Sequence, residues 1–174
     1  VMEYIDGTTL SDHMKIKREL LDETEVLELV ITISLALKEA LANNVIHRDV
    51  KPDNILISRD GTIKLADLSF AKRLDCDESL TAKGKVIGTP SYTAPEQILN
   101  AANVDHRSDI YSLGATMYHM ATGQAPFSGN NPIIIMKKHI HAPLEDPNDL
   151  PMDEAGMNAY LFDHSVKTYQ RRNN

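Results

Sequence analysis

Apolar residues recur at helical spacing between residues 26 and 41, and this is the strongest periodic signal in the chain. One stripe has steps of three or four residues, and three neighbours widen it: Val26, Val30, Ile33, Leu37 and Leu41, with Leu27, Leu29 and Ile31 beside them. A helix that is apolar on most sides is usually buried. We therefore predict a buried helix that ends at Asn43-Asn44.

Shorter patterns predict the elements around this helix. Residues 1–5 alternate loosely and indicate a short strand or extended segment that ends at Asp6-Gly7. Either Thr9 or Ser11 could cap a helix over residues 10–20. After the long helix, residues 55–58 and 62–65 have the character of strands, and the Asp60-Gly61 pair between them predicts a hairpin turn.

The second half of the chain alternates between irregular and helical stretches. Residues 67–96 show little periodicity, and a connection of that length is usually functional or mobile. A helix is predicted from Asp105 or Ser108 to a cap at Gly123, with one apolar face: Ile110, Leu113, Met117 and Ala121. Residues 133–141 indicate another helix, whose His139 and His141 we expect on the solvated surface. A weaker pattern covers residues 156–169.

Composition narrows the class of protein. The 174 residues include 25 acidic and 18 basic side chains, a net charge of −7, which disfavours an extended nucleic-acid surface because phosphate neutralisation needs basic residues. No apolar stretch is long enough to span a membrane, and the opening residues lack the basic start of a signal peptide. One cysteine, Cys76, allows no internal disulfide. We expect a cytoplasmic protein, and the initial valine suggests a piece of a longer one.

One short segment holds a carboxylate, a lysine and an amide close together in the sequence: residues 47–54, His-Arg-Asp-Val-Lys-Pro-Asp-Asn. The predicted hairpin could carry Asp67 back beside Asn54, and these two oxygen donors suit a hard cation such as Mg²⁺. Lys51 would offer a point charge to a transferring phosphoryl group, and Asp49 would be left to accept a proton. The alternative is a polar loop in which an Asp–Arg pair is simply satisfied.

Four segments carry motifs, in this order: residues 1–4, 47–54, 88–96, which end in Ala-Pro-Glu, and 109–114. Together they resemble eukaryotic-type Ser/Thr protein kinases, and residues 88–97 and 105–127 are most similar to bacterial members. Residues 47–54 resemble the catalytic loop of that family, and residues 88–96 resemble the end of its activation segment. Residues 109–114 are similar to the start of the central helix, and residues 1–4 to the hinge between lobes. The resemblance implies an α+β, mainly α fold: the large C-terminal lobe over residues 1–145, without the N-terminal β-lobe, and a divergent tail over 146–174.

The resemblance implies ATP and Mg²⁺ as cofactors and a protein Ser or Thr hydroxyl as the acceptor. Asp49 would orient and deprotonate that hydroxyl, Lys51 would steady the γ-phosphate, and Asn54 and Asp67 would hold the metal. Thr89 would form a hydrogen bond near Asp49 and Lys51. For the nucleotide base, the family implies backbone bonds from Glu3 and Ile5 and a packing contact from Leu56.

Further residues have implied regulatory or structural roles. Arg48 would pair with a phosphorylated activation loop, for which Ser79 and Thr81 are candidate sites; the alternative is an unmodified, solvated loop. Asp109 would brace the catalytic-loop backbone, and His47 would form a local hydrogen bond. Glu96 would need an arginine partner, but residues 146–174 show no clear match to the family's Asp-Pro-x-x-Arg-Pro stretch.

Two departures limit what the resemblance implies. The printed sequence has no glycine-rich loop, strand lysine or partner glutamate, so we expect no useful kinase activity from residues 1–174 without an N-terminal lobe as partner. The family's Asp-Phe-Gly appears as Asp67-Leu68-Ser69, which is either a harmless variant or a restriction on loop switching. Two other functions therefore stay open: a pseudokinase-like binding or scaffold module, and a small-molecule phosphotransferase, which residues 88–96 disfavour.

Overall fold

The protein is seen here in a computed structural model that describes residues 4–17, 20–68, 71–73 and 90–147; for Lys72, Arg73 and Asn103 it describes the backbone only. Within those ranges five helices and five short strands follow one another in this order: β1 Gly7–Thr9, α1 Leu10–Lys17, α2 Glu23–Ala42, β2 Val45–Ile46, β3 Ile55–Ser58, β4 Ile63–Leu65, β5 Lys72–Arg73, α3 Pro95–Leu99, α4 Arg107–Thr122 and α5 Pro132–His141. Single turns of 3₁₀ helix cover Pro52–Asn54, Pro90–Tyr92 and Ala101–Asn103.

Helix α2 begins at a cap that the apolar pattern did not reveal. The Asp22 carboxylate accepts a hydrogen bond from the Glu25 backbone N–H at 2.9 Å, and the Glu25 carboxylate accepts one from the Asp22 N–H at 2.8 Å. This reciprocal capping box satisfies two backbone donors that a helix N-terminus leaves open. The helix ends at Asn43, as predicted.

We expect Asp22→Ala to lower the free energy of unfolding by about 1 kcal/mol, because the substitution removes the cap acceptor. Urea denaturation measures the change. Thr24→Ala, an exposed substitution in the same helical turn, is the matched control and should leave stability nearly unchanged. Equal effects of the two substitutions would contradict the role given to the capping box.

The predicted burial of α2 on most sides is wrong. Its buried residues are Val26, Leu29, Ile33 and Leu37, which belong to the core cluster with residues of α4. The opposite face exposes Leu27, Ile31 and Leu35, with 38%, 58% and 60% of their surface accessible. Helix α2 packs on α4, β2 and β4, so only the side turned towards them is buried.

The predicted hairpin is confirmed, and a third strand joins it. β3 and β4 pair antiparallel with Ile55 opposite Leu65, and Gly61 in the turn has a φ of +84°, a backbone conformation that glycine adopts without strain. β1 pairs with the other edge of β3. It starts at Gly7, where the sequence suggested that a strand ends; residues 4–6 form no regular strand, and residues 1–3 lie outside the described ranges.

The last two helices were predicted to within about two residues, but two side chains were misplaced. Gly123 caps α4 with a φ of +74°, as expected. Ile110 was assigned to the apolar face of α4 and is instead 56% exposed. His139 of α5 was expected in solvent and is instead buried, because Tyr111 and Phe127 enclose its ring. The predicted helix at 156–169 lies outside the described residues.

The core joins α1, α2, α4 and β3, and it positions the loop between β2 and β3. Its central side chains include Leu10, Ile33, Ile55 and Met120, each at most 1% exposed. The described part is thus mainly helical with small sheets, in agreement with the predicted α+β, mainly α class. Among the described helices, none combines the length and apolar character needed to cross a membrane.

Candidate active site

His47 anchors the start of the loop that carries the candidate chemistry. Its side chain is buried, and its Nε2 lies 3.0 Å from the carbonyl oxygen of Ala66. The Asp49 backbone N–H donates to His47 Nδ1 at 3.3 Å. The neutral ring with its proton on Nε2 satisfies both contacts. The imidazole therefore joins the loop to the residue that precedes Asp67.

Asp49, Lys51 and Asn54 converge on a single carboxylate oxygen. Lys51 Nζ donates to Asp49 Oδ2 at 2.7 Å, and Asn54 Nδ2 donates to the same oxygen at 2.8 Å. Asn54 Nδ2 also donates to the Asp49 carbonyl at 2.7 Å. The Asp49 and Lys51 side chains are only 17% and 14% exposed. Because the amide nitrogen of Asn54 faces Asp49, its amide oxygen is the atom left for other ligands.

The hairpin brings Asp67 next to this cluster along the backbone. The Ala66 N–H donates to the Asn54 carbonyl at 2.8 Å, so Asp67 is the first residue beyond a direct link to Asn54. Asp67 has a φ of +64°, an uncommon conformation that often marks functional sites. Among the described residues, no three His, Cys, Asp or Glu side chains form a metal cluster. The amide oxygen of Asn54 and the carboxylate of Asp67 are of the type that Mg²⁺ binds together with water and phosphate, so these two residues could hold that ion.

Asp109 holds the backbone of the same loop from the first turn of α4. Its carboxylate accepts hydrogen bonds from the N–H groups of His47 at 2.9 Å and Arg48 at 2.7 Å. The side chain is 4% exposed, and burial raises its pKa above the usual range although both hydrogen bonds oppose that shift. Arg48 has a φ of +68°. The carboxylate thus stabilises a peptide in a conformation that non-glycine residues seldom adopt.

The Arg48 guanidinium is partly buried, and one of its N–H donors makes no hydrogen bond to the described residues. Its Nη2 donates to the Ala101 carbonyl at 3.2 Å, whereas its buried Nε has no hydrogen-bond partner within the described residues. Burial lowers the pKa of Arg48, and the charge of Asp109 opposes that change. An available donor on a partly buried cation favours an anionic ligand.

Two tyrosine–histidine pairs connect the Pro90–Tyr92 turn and α4 to the neighbouring helices. Tyr92 Oη lies 2.6 Å from His119 Nδ1, and the two rings stack. Tyr111 Oη lies 2.8 Å from His139 Nδ1. Neither pair was predicted from the sequence. The sequence placed both histidines in helices, but it did not indicate which tyrosine each would meet.

We expect the free energy of unfolding to fall as the pH drops below about 6.5. Burial lowers the pKa of His119 and His139 below the ordinary 6.5, while the charge of Asp53 partly opposes the shift at His119. The unfolded chain therefore binds protons that the folded chain excludes. Above the pKa that a histidine has in the unfolded chain, its contribution to the free energy of unfolding is fully present. Below that pKa the contribution is lost, by at most about 1.4 kcal/mol per pH unit for each histidine.

Chemical denaturation between pH 7.5 and 5.5 measures this slope. His119→Gln and His139→Gln should each flatten it, because glutamine does not titrate. The exposed His141 offers the matched control, and His141→Gln should leave the slope unchanged. The polar groups near the His119 ring are Tyr92 and Asp53. Those near the His139 ring are Tyr111 and the Ser91 backbone. A slope that neither buried substitution alters would refute the assignment.

The remaining candidate residues divide by whether the structure describes them. Glu3, Cys76, Ser79, Thr81 and Thr89 lie outside the described residues. Ile5 is half-buried ahead of β1, and Leu56 is half-buried in β3 opposite Lys64 and Thr9. Glu96 lies in α3. The hydrogen bond to Asp105 raises the pKa of Arg107 and burial raises the pKa of Tyr111, and the charge of Glu96 adds to both shifts. The roles of all these residues stay predictions.

Comparison with known proteins identifies the family. The chain matches the protein kinase domain family over residues 1–167. It is 38% identical over 162 residues to the serine/threonine-protein kinase PknB of Mycobacterium tuberculosis, covering 92% of this chain and 25% of that protein. It is also 38% identical over 150 residues to a probable serine/threonine-protein kinase of Clostridium perfringens, covering 86% of this chain and 22% of that protein. The chain thus spans about a quarter of the length of these relatives. A match over most of its residues shows that the chain belongs to the protein kinase domain family.

Proposed function

We propose that the chain is the large lobe of a Ser/Thr protein kinase, which transfers the γ-phosphoryl group of ATP to Ser or Thr hydroxyls of proteins. The observation that carries this proposal is the meeting of Lys51 and Asn54 on the Asp49 carboxylate. A half-buried proton acceptor, an ammonium and an amide oxygen in one place are groups that phosphoryl transfer uses. In this proposal residues 1–145 form the lobe and residues 146–174 its tail.

Each side chain of the cluster has a separate task. Asp49 orients the acceptor hydroxyl and takes its proton. Lys51 turns from Asp49 towards the γ-phosphate and offsets the charge there. Asn54 and Asp67 would hold magnesium, which neutralises charge on the phosphate chain when it is bound. The backbone of Glu3 and Ile5 would bond the adenine edge, and Leu56 would pack under its ring. Thr89 would bond near Asp49 and Lys51.

Arg48 carries the proposed regulation. Its buried Nε, which has no partner in the described part of the chain, could receive a phosphate on Ser79 or Thr81. Such a phosphate adds a charge of about −1.5 to −2 and three strong acceptor oxygens. Phosphorylation would then order the activation segment beside Asp49.

The proposal includes a requirement for a second lobe. Protein kinases need a glycine-rich loop and a lysine–glutamate pair over the phosphates, and the printed sequence contains neither. We therefore expect the 174-residue chain by itself to transfer no measurable phosphate. The natural protein that contains this chain should be active.

The experiment measures transfer from radiolabelled ATP to a generic Ser/Thr substrate, by that natural protein and by residues 1–174 alone. Mg²⁺-dependent incorporation on Ser or Thr by the natural protein supports the proposal. Nucleotide binding without transfer would support the alternative, a pseudokinase-like binding module, which the Asp67-Leu68-Ser69 variant favours. Transfer to a small molecule and to no protein would indicate a small-molecule phosphotransferase instead.

A further inference from the structure

Gln97 links the start of α3 to the loop that carries Asp49. Its Nε2 donates to the Arg48 carbonyl at 2.9 Å, and its Oε1 accepts from the Ala94 backbone N–H at 3.1 Å. Both ends of one half-buried carboxamide are therefore used, one within its own segment and one for Arg48, which lies 49 residues away in the sequence. Sequence reasoning gave this residue no role.

The contact falls on the residue whose backbone is held in a rare conformation. Arg48 has a φ of +68°, and its N–H group is bound by the Asp109 carboxylate at 2.7 Å. Gln97 donates to the carbonyl of the same residue, and that carbonyl belongs to the peptide group between Arg48 and Asp49. Asp109 and Gln97 thus hold the two peptide groups that flank Arg48, one on each side of its Cα. Surrounding contacts of this kind are what keep a residue in an uncommon backbone conformation.

We propose that Gln97 is a positioning residue, which transmits the position of the end of the activation segment to the proton acceptor Asp49. Ala94 lies between the Pro90–Tyr92 turn and α3, at the end of the proposed activation segment. The hydrogen bond from its N–H to Gln97 therefore makes the position of the carboxamide depend on the position of that segment. When the segment is in place, the amide donor fixes the Arg48–Asp49 peptide. The inference rests on the proposed kinase function, because it assigns Gln97 a role in that reaction.

Gln97→Glu separates the two contacts of this side chain. A carboxylate still accepts the Ala94 N–H, so the start of α3 keeps its cap. It has no donor for the Arg48 carbonyl and places a charged oxygen against that carbonyl. Gln97→Ala removes both contacts. Gln124→Glu makes the same chemical change at an exposed position beyond α4 and is the matched control.

We expect Gln97→Glu in the natural protein to lower kcat about tenfold, the effect of one lost hydrogen bond plus the new repulsion. The KM for ATP should stay close to that of the unsubstituted protein, and the melting temperature should fall by less than in Gln97→Ala. Amide hydrogen exchange in residues 47–49 should become faster. Gln97→Ala should lower both kcat and the melting temperature, and Gln124→Glu should change neither.

Three results would overturn the inference: an unchanged kcat in Gln97→Glu, equal losses of melting temperature in both Gln97 variants, or unchanged exchange at residues 47–49. Hydrogen exchange is independent of catalysis and distinguishes the two proposals. If the unsubstituted protein transfers no phosphate but Gln97→Glu speeds exchange, the kinase function fails while the structural link stands. If the unsubstituted protein is active and the variant matches it in rate and exchange, the link fails alone.

Discussion

Asp49→Asn should lower the rate of phosphoryl transfer by about 10²- to 10⁴-fold, the usual contribution of a positioned general base. The fold should survive, because Lys51 and Asn54 both donate to the same oxygen, Oδ2. A carboxamide can present its single oxygen to both donors. The substitution therefore removes the charge and the ability to accept a proton while it preserves the local hydrogen bonds.

Single-turnover transfer by the natural protein, at saturating ATP, measures this loss. Asp53→Asn is the matched control, since Asp53 is exposed and lies four residues further along the same loop; its rate should stay within about twofold of the unsubstituted protein. Melting temperatures should be nearly equal for all three. Transfer by Asp49→Asn at the unsubstituted rate would exclude Asp49 as the proton acceptor.

Elements that depend on local chemistry were predictable from the sequence. The Asp60-Gly61 turn placed both strands of its hairpin to within a residue, because the turn type determines how the flanking strands pair. Gly123 marked the end of α4 because a left-handed cap favours glycine. The sequence predicted that Asp49, Lys51 and Asn54 lie in one loop, but with Lys51 and Asn54 directed at phosphate and metal. Their hydrogen bonds to the Asp49 carboxylate were not predicted.

Contacts between distant segments were not predictable. β1 exists because Gly7 lets its backbone approach β3 closely; a Cβ there would lie 2.1 Å from the Ile57 carbonyl oxygen. Nothing near Gly7 in the sequence indicates that partner. His139 looked like a surface residue for the same reason, since Tyr111 and Phe127 reach it from other parts of the chain.

The buried face of α2 shows a different failure of the sequence pattern. Leu27 and Ile31 are as apolar as the residues that are buried, so periodicity alone widened the predicted core stripe. Which stripe is buried depends on where α4 and β4 lie. An apolar pattern therefore identified the helix but not the side that faces its neighbours.

Asp109→Ala should lower the free energy of unfolding by about 2–5 kcal/mol, because it leaves two buried backbone donors, those of His47 and Arg48, without an acceptor. Asp109→Asn should lose less, since the amide oxygen can still accept one of the two bonds. The left-handed conformation of Arg48 would lose this support in Asp109→Ala and part of it in Asp109→Asn. Transfer should therefore slow by at least tenfold even at temperatures where the protein stays folded.

Urea denaturation gives the stability of each variant, and the transfer rate is then compared below the unfolding transition. Asp105→Asn is the matched control, because Asp105 lies just before the same helix and bonds an exposed arginine, Arg107. It should leave both stability and rate almost unchanged, since surface ion pairs contribute little. In the described contacts the Asp109 carboxylate bonds only to the loop backbone. A loss of stability without slower transfer would therefore show that the loop keeps Asp49 in place unaided.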